Sequence, residues 1–301
     1  MIDAEPADPF ISGETLAVLR DACEAAGLRA GNAGLLRLGE NAIFRLEHDR
    51  VVVRIARSLD VLPDARKEVA VAAWLAAAGL PATQTTRTSQ PFIIRGRPVT
   101  FWQLIDDTGT KATAAELGTT LRRLHSLRVP DRLHLPALDI FGRVAERIAA
   151  ARIPDADRSF LAGRLGTLRA QYRTPGFALS ASAVHGDAHQ GNLIKQPDGT
   201  AVLIDLERFA FGQPETDLSV TATEYLLGWH TGEQYAGFVR AYGGYDIMTW
   251  PGFPVIRAIN ELKMTTWLMQ NTGQSERHAA EFRTRVESLR NPGAPGRWKP
   301  F

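Results

Sequence analysis

The sequence predicts an α+β protein of two lobes, a small antiparallel β-sheet lobe with one main helix over residues 1–105 and a larger, mostly helical lobe over 106–301. Short apolar runs separated by turn residues fill the first third, and one long helical pattern interrupts them. Beyond Asp106-Asp107 the apolar residues recur at helical spacing almost to the end. At 301 residues the chain exceeds the usual size of one compact core, so two lobes are a natural division.

A first helix is expected over Gly13 to Ala26. The stretch "AGLLRLGENAIFRLEHDRVVVRIARS" then divides into the runs Leu35 to Leu38, Ala42 to Leu46 and Val51 to Ile55. Gly39-Glu40-Asn41 and His48-Asp49-Arg50 fill the gaps with turn-type residues, which makes an antiparallel meander. A long helix follows from Pro63 to Ala78 and is stopped by Gly79 and Pro81. Two more strands, "PFIIRG" and "RPVTFWQLI", flank a turn at Gly96. In the second lobe "TAAELGTTLRRLHSL" repeats leucine at 117, 121 and 124, and further helices are expected over 139–152, 156–172, 216–228, 231–241, 254–271 and 277–290.

Composition removes several functions. A net charge of +2 without a concentrated basic patch argues against a nucleic-acid or membrane-surface partner. Cys23 is the single cysteine, so no intrachain disulfide or CxxC zinc site is possible, and a reducing cytoplasm is expected. The acidic "MIDAEPADPF" does not read as a signal peptide, and the apolar run Val69 to Gly79 is too short to cross a bilayer.

The chemistry concentrates in "AVHGDAHQGNLIKQPDGTAVLIDLE", residues 183–207. His185 and His189 stand four apart, the spacing of two zinc ligands on a helix, but Gly186 and Gly191 disfavour that helix and no HExxH pattern occurs. Phosphoryl transfer fits more residues. Such a site needs a carboxylate to orient and deprotonate the acceptor hydroxyl, and hard oxygen ligands for a magnesium ion on the nucleotide phosphates. Asp187 and Asn192 have the spacing H-x-D-x-x-x-x-N of a phosphotransfer loop. A strand, a Pro-Asp-Gly turn and a second strand ending at Asp205 follow, and that hairpin is expected to return Asp205 to Asn192.

"VHGDAHQGNLI" with "LIDLERFAFGQPETDLS" resembles the aminoglycoside phosphotransferase family, which shares its two-lobed fold with protein kinases and includes choline and sugar kinases. The resemblance spans about residues 34–270. It implies Asp187 as catalytic base, Asn192 and Asp205 as Mg2+ ligands, and ATP or GTP as phosphate donor. Gly39 to Ala42, with Gly39 and Asn41 among them, would be the turn that covers the phosphates. Arg54 would contact the α and β phosphates and pair with Glu68, although a protein kinase has lysine there. The backbone of Gln103, Leu104 and Ile105 would read the purine. His185 would shape the loop, Asp217 would brace it from a helix N-terminus, and Glu207 would stand beside the metal or in a surface salt bridge. No G-x-x-x-x-G-K-[ST] occurs, so a P-loop is excluded.

The resemblance places the acceptor between the catalytic loop and the C-terminal helices, where Glu224, Trp229, Glu261, Trp267, Gln270 and Asn271 are candidates; Trp267 is also expected to pack in the core. Six acidic against three basic residues from Gly212 to Ser275 lean toward a cationic acceptor. The expected activity is transfer of phosphate from ATP or GTP to an alcohol of a small molecule, an aminoglycoside or related antibiotic, by a monomer or weak dimer. The alternatives are a metabolic kinase for an amino sugar, choline or a similar alcohol, and a non-catalytic nucleotide-binding module.

Overall fold

The computed structural model describes residues 13–39, 41–86, 89–172, 176–291 and 298–301. The segment "MIDAEPADPF", Glu40 of the phosphate-covering turn and most of the tail lie outside the described residues. The chain runs through α1 (Gly13–Ala25), β1 (Gly34–Leu38), β2 (Asn41–Leu46), β3 (Val51–Ala56), α2 (Leu62–Ala77), β4 (Phe92–Ile94) and β5 (Arg97–Gln103). Next come α3 (Ala114–Ser126), α4 (Val144–Ala150), α5 (Asp155–Gln171), β6 (Ser182–Val184), β7 (Leu193–Lys195), β8 (Ala201–Leu203) and β9 (Ala210–Gly212). The helices α6 (Glu215–Leu226), α7 (Gly232–Tyr242), α8 (Phe253–Met269) and α9 (Glu276–Arg290) complete it.

These elements form two compact units. One holds Met1–Lys111, Pro130–Leu135 and Leu193–Phe209; the other holds Ala112–Val129, Pro136–Asn192 and Ala210–Phe301. The division is therefore not a single cut near residue 105, because β7 and β8 belong with the first unit.

In the first unit an antiparallel sheet has the order β1-β2-β3-β5-β4. Strand alternation decides its faces. Val51, Val53 and Ile55 of β3 are buried with Phe44, Leu46 and Phe101 against Val18, Leu19, Ala22 and Cys23 of α1. Arg54 necessarily points to the opposite face. The β4–β5 turn, Arg95-Gly96, has two positive φ angles (49° and 73°), the form that matches the twist of a tight hairpin. The β7–β8 hairpin starts at the pair Leu193 and Leu203.

In the second unit α3 opens on a capping box between Thr113 and Glu116, and its leucines 117, 121 and 124 are fully buried. The helix expected over 139–152 forms only as α4, because the Asp139 carboxylate accepts the Phe141 N–H at 3.0 Å and holds a turn there. β6 pairs with β9, two three-residue strands the sequence did not reveal. No helix among the described residues is long and apolar enough to cross a membrane.

Candidate active site

The loop after β6 is built around one buried carboxylate. Asp217, in the first turn of α6 and 1% exposed, accepts the N–H of His185 at 2.7 Å and of Gly186 at 2.9 Å. Nε2 of His125 lies 3.1 Å from the same carboxylate, and Nδ1 of His125 lies 2.9 Å from the Tyr242 hydroxyl. Burial alone would push the Asp217 carboxyl up. The His125 hydrogen bond and charge, with His185, outweigh it and hold the group below the ordinary carboxylate range. Gly186 has φ +80°, a conformation that glycine adopts without strain and that turns the chain sharply into Asp187.

The far end of the loop is tied back to its start. The Asn192 side-chain amide donates to the Asp187 carbonyl at 2.8 Å, and the Asn192 N–H donates to the His189 carbonyl at 2.9 Å. His189 itself accepts the Gly191 N–H through Nδ1 at 3.1 Å, a loop contact rather than half of a metal pair. His185, Asp187, Asn192 and Asp217 are thus brought together, with His125 and Tyr242 behind them. Sequence reading missed those last two, since a histidine 92 residues from its carboxylate leaves no local signal.

In the first unit Asp205 is not the end of a strand. β8 stops at Leu203, and Asp205 adopts φ 60°, ψ 63°, a left-handed conformation that is costly for residues other than glycine, asparagine and aspartate. A single 3₁₀ turn, Leu206–Arg208, follows, anchored by buried Leu206 and Phe209. The Lys67 ammonium donates to the Glu207 carbonyl at 2.6 Å.

Arg54 and Glu68 form an ion pair, with Glu68 only 6% exposed. Desolvation pushes the Glu68 carboxyl up to about 7 against the opposing pull of Arg54, and the negative charges of Glu207 and Asp205 add to the rise. Asn41, Arg54, Asp64, Glu68, Thr100 and Glu207 line one cleft. Gly39 lies beside it in the chain, its carbonyl held by Nε of Arg57 at 2.6 Å. At the end of β5 the N–H groups of Gln103 and Leu104 already donate to the carbonyls of Gln84 (2.8 Å) and Arg50 (2.9 Å). Two of the three N–H groups expected to read a purine are thus already engaged.

The acceptor candidates divide. Glu224 is 2.9 Å from Nε2 of His230, and Glu261 accepts Nε of Arg257 at 2.8 Å. Glu215 accepts two backbone N–H groups, and Asp246 accepts the Tyr235 hydroxyl at 2.6 Å. With Asp217 engaged as well, five of the six carboxylates between Gly212 and Ser275 already have internal partners, so most of the expected acidic surplus is not a set of free carboxylates. Trp267 is a second correction: it is 41% exposed, because the buried side of α8 carries Ile256, Ile259, Leu262, Thr266 and Met269 instead. Gln270 and Asn271 follow it in the turn that closes α8, where the Gln270 amide donates to the Trp267 carbonyl at 3.3 Å. Trp229 donates its indole N–H to the Trp298 carbonyl at 2.7 Å.

Residues 36–258 match the family described as APH, the phosphotransferase enzyme family. The chain belongs to this family. No protein of curated function matches the sequence of this phosphotransferase. Its fold is that of kinase-like structures. An amicoumacin kinase, hAmiN, in complex with AMP-PNP, Ca2+ and Ami is similar at a TM-score of 0.71 and 15% identity, over 96% of this chain and 98% of that one. The aminoglycoside phosphotransferase APH(3'')-Id from Streptomyces rimosus gives 0.56 and 20%, over 82% and 97%. Choline kinase LicA from Streptococcus pneumoniae gives 0.63 and 15%, over 92% and 99%. The α+β, protein-kinase-like architecture expected from the sequence is therefore the fold of the APH-family chain.

Among the described residues no group of three or more His, Cys, Asp and Glu side chains is placed to hold a metal alone. A magnesium ion bound through one or two protein oxygens and the phosphates of its nucleotide does not require such a group. In the first unit Asp205 presents a carboxylate, the donor type that mode uses, from a left-handed turn.

Proposed function

We propose that this phosphotransferase moves the γ-phosphate of ATP or GTP to a hydroxyl of a small polyhydroxylated molecule, an aminoglycoside or related antibiotic. The observation that carries the reading is the loop around Asp187, fixed at one end by Asp217 on the His185 and Gly186 amides and at the other by Asn192 on the Asp187 carbonyl. A loop held this way can present one carboxylate to an acceptor hydroxyl with little reorganisation, as positional catalysis of phosphoryl transfer demands.

In this reading Asp187 orients the acceptor and takes its proton, a contribution of about 10² to 10⁴ in rate. Asn192 and Asp205 hold the Mg2+ that accompanies the nucleotide; when bound, that ion supplies positive charge to the phosphate oxygens. Arg54, fixed by Glu68, offers a planar cation to the α and β phosphates, beside Asn41 in the same cleft. The purine lies against Gln103 to Ile105, with the Ile105 N–H as donor. Glu207 shapes the acidic side of the cleft.

The antibiotic part is supported by fold likeness to antibiotic kinases, and exposed Trp267 and Gln270 with half-buried Asn271 offer an apolar face and amides to a sugar-like acceptor. Fold likeness to a choline kinase supports the metabolic reading as a second. The buried single cysteine suits a reducing cytoplasm. Incubation with labelled ATP or GTP, Mg2+ and a panel of aminoglycosides, amicoumacin-type compounds, amino sugars and choline tests both. Labelled antibiotic, with raised antibiotic tolerance of an expressing strain, supports the first; labelled choline or amino sugar alone replaces it with the second.

A further inference from the structure

Lys67 is the side chain that joins the Arg54 ion pair to the turn after Asp205. It precedes Glu68 on α2, so the two side chains leave the helix about 100° apart and reach different neighbours. Glu68 meets Arg54 on β3, while Lys67 reaches the 3₁₀ turn Leu206–Arg208 and donates to the Glu207 carbonyl at 2.6 Å. The Lys67 side chain is only 13% exposed, and Asp64, one turn earlier on α2, lies 3.4 Å from its Nζ. An ammonium held this far from water, with a carboxylate behind it and a carbonyl in front, is a directed contact rather than a solvated charge.

Aspartate tolerates the left-handed conformation of Asp205, so its carboxylate is aimed only as firmly as the turn that follows it is held. Leu206 and Phe209 supply the apolar anchors, and the Lys67 bond is the charge-assisted polar one between them.

We propose that Lys67 is a positioning residue for divalent-metal and nucleotide binding: it fixes the Asp205–Glu207 turn to the same helix that fixes Arg54, so that metal ligand and phosphate-binding cation are set by one element. This rests on the reading that Asp205 holds the metal. Lys67 touches neither nucleotide nor acceptor.

The test is titration calorimetry of the full chain with the non-hydrolysable ATP analogue AMP-PNP at varied Mg2+, for wild type, Lys67→Met, Lys67→Arg and Asp205→Asn, with steady-state kinetics alongside. The Lys67→Met change is expected to raise the Mg2+ needed for half-saturation roughly tenfold and the nucleotide KM with it, the acceptor KM staying unchanged. Lys67→Arg, which retains a charged donor, is expected to recover most of the difference. Unchanged Mg2+ dependence in Lys67→Met, while Asp205→Asn abolishes metal-dependent binding, would overturn the positioning role and leave the functional reading intact. Wild type that binds AMP-PNP with no Mg2+ dependence would overturn both. If Lys67→Met does not fold, Lys67→Gln at matched thermal midpoint takes its place under the same criteria.

Discussion

The backbone N–H of His185 donates to the carboxylate of Asp217 across 2.7 Å, in an environment where both residues are essentially inaccessible to water. A carboxylate 32 positions along the chain thereby sets the direction in which the loop leaves β6, and so where Asp187 points.

Replacement of Asp217 by Asn keeps the size and loses the charge. Buried charge-assisted hydrogen bonds to two amides and His125 are weakened together, so a stability loss of about 2–3 kcal/mol is expected. Urea unfolding measures it. The sign with pH follows from the depressed carboxyl: its stabilisation is present above the unfolded pKa of about 3.9 and is lost as pH falls through the lower folded value. Acid unfolding of wild type should therefore be steeper than that of Asp217→Asn.

Glu68 behaves in the opposite sense. Its carboxyl is raised from 4.5 to about 7, first by burial, so the folded chain holds a proton that the unfolded chain releases. Stability is expected to be greatest below about 4.5 as far as this group is concerned, and to decline on the order of 2 kcal/mol as pH rises to about 7. Above that range the ionised Glu68 holds Arg54 most firmly, and nucleotide affinity should rise with pH over the same interval. In Glu68→Gln both trends should flatten, which chemical unfolding and nucleotide titration at pH 5 and pH 8 would reveal.

Arg285 offers a stability prediction away from the site. It is 2% exposed and donates to the Glu281 carboxylate at 2.9 Å, the Met264 carbonyl at 3.1 Å and the Lys299 carbonyl at 2.7 Å, with the Trp298 ring centroid 5.0 Å from its guanidinium. Arg285→Met leaves the buried Glu281 carboxylate without its cation, held only by the Lys299 N–H at 2.9 Å among the described contacts, and should cost about 3–5 kcal/mol. The double replacement with Glu281→Leu should recover part of it, because the stranded charge is then gone.

Much of this was legible in the sequence for a plain physical reason. Long segments such as α2 and α8 repeat their apolar residues over several turns, and β2 and β3 are short apolar runs between turn residues, so the elements are legible even where the buried face, as at Trp267, is not. The H-x-D-x-x-x-x-N spacing marked Asp187 and Asn192, and the helix-start position of Asp217 marked it as a brace. Three-residue strands such as β6 and β9 contain too little pattern to detect. The Lys67 contact ends on a backbone carbonyl 140 residues away, which no side-chain motif encodes. Counting charges between Gly212 and Ser275 records the carboxylates but not which of them are engaged, because partners such as His125, His230 and Tyr235 are supplied by the fold.

Asp205→Asn should leave the fold intact, since asparagine also tolerates the left-handed conformation, with a thermal midpoint within a few degrees of wild type. It should nevertheless lose the metal-dependent part of nucleotide binding, and the Glu68 transition should move to lower pH once the neighbouring negative charge is removed.

The most direct measurement is single-turnover transfer of labelled γ-phosphate, with Mg2+ and the acceptor panel, by wild type and Asp187→Asn at equal nucleotide occupancy. The account expects labelled acceptor from wild type and a rate lower by about 10² to 10⁴ in Asp187→Asn, with nucleotide affinity preserved. Equal transfer by the two proteins, or bound nucleotide with no transfer and no hydrolysis by wild type, would contradict it.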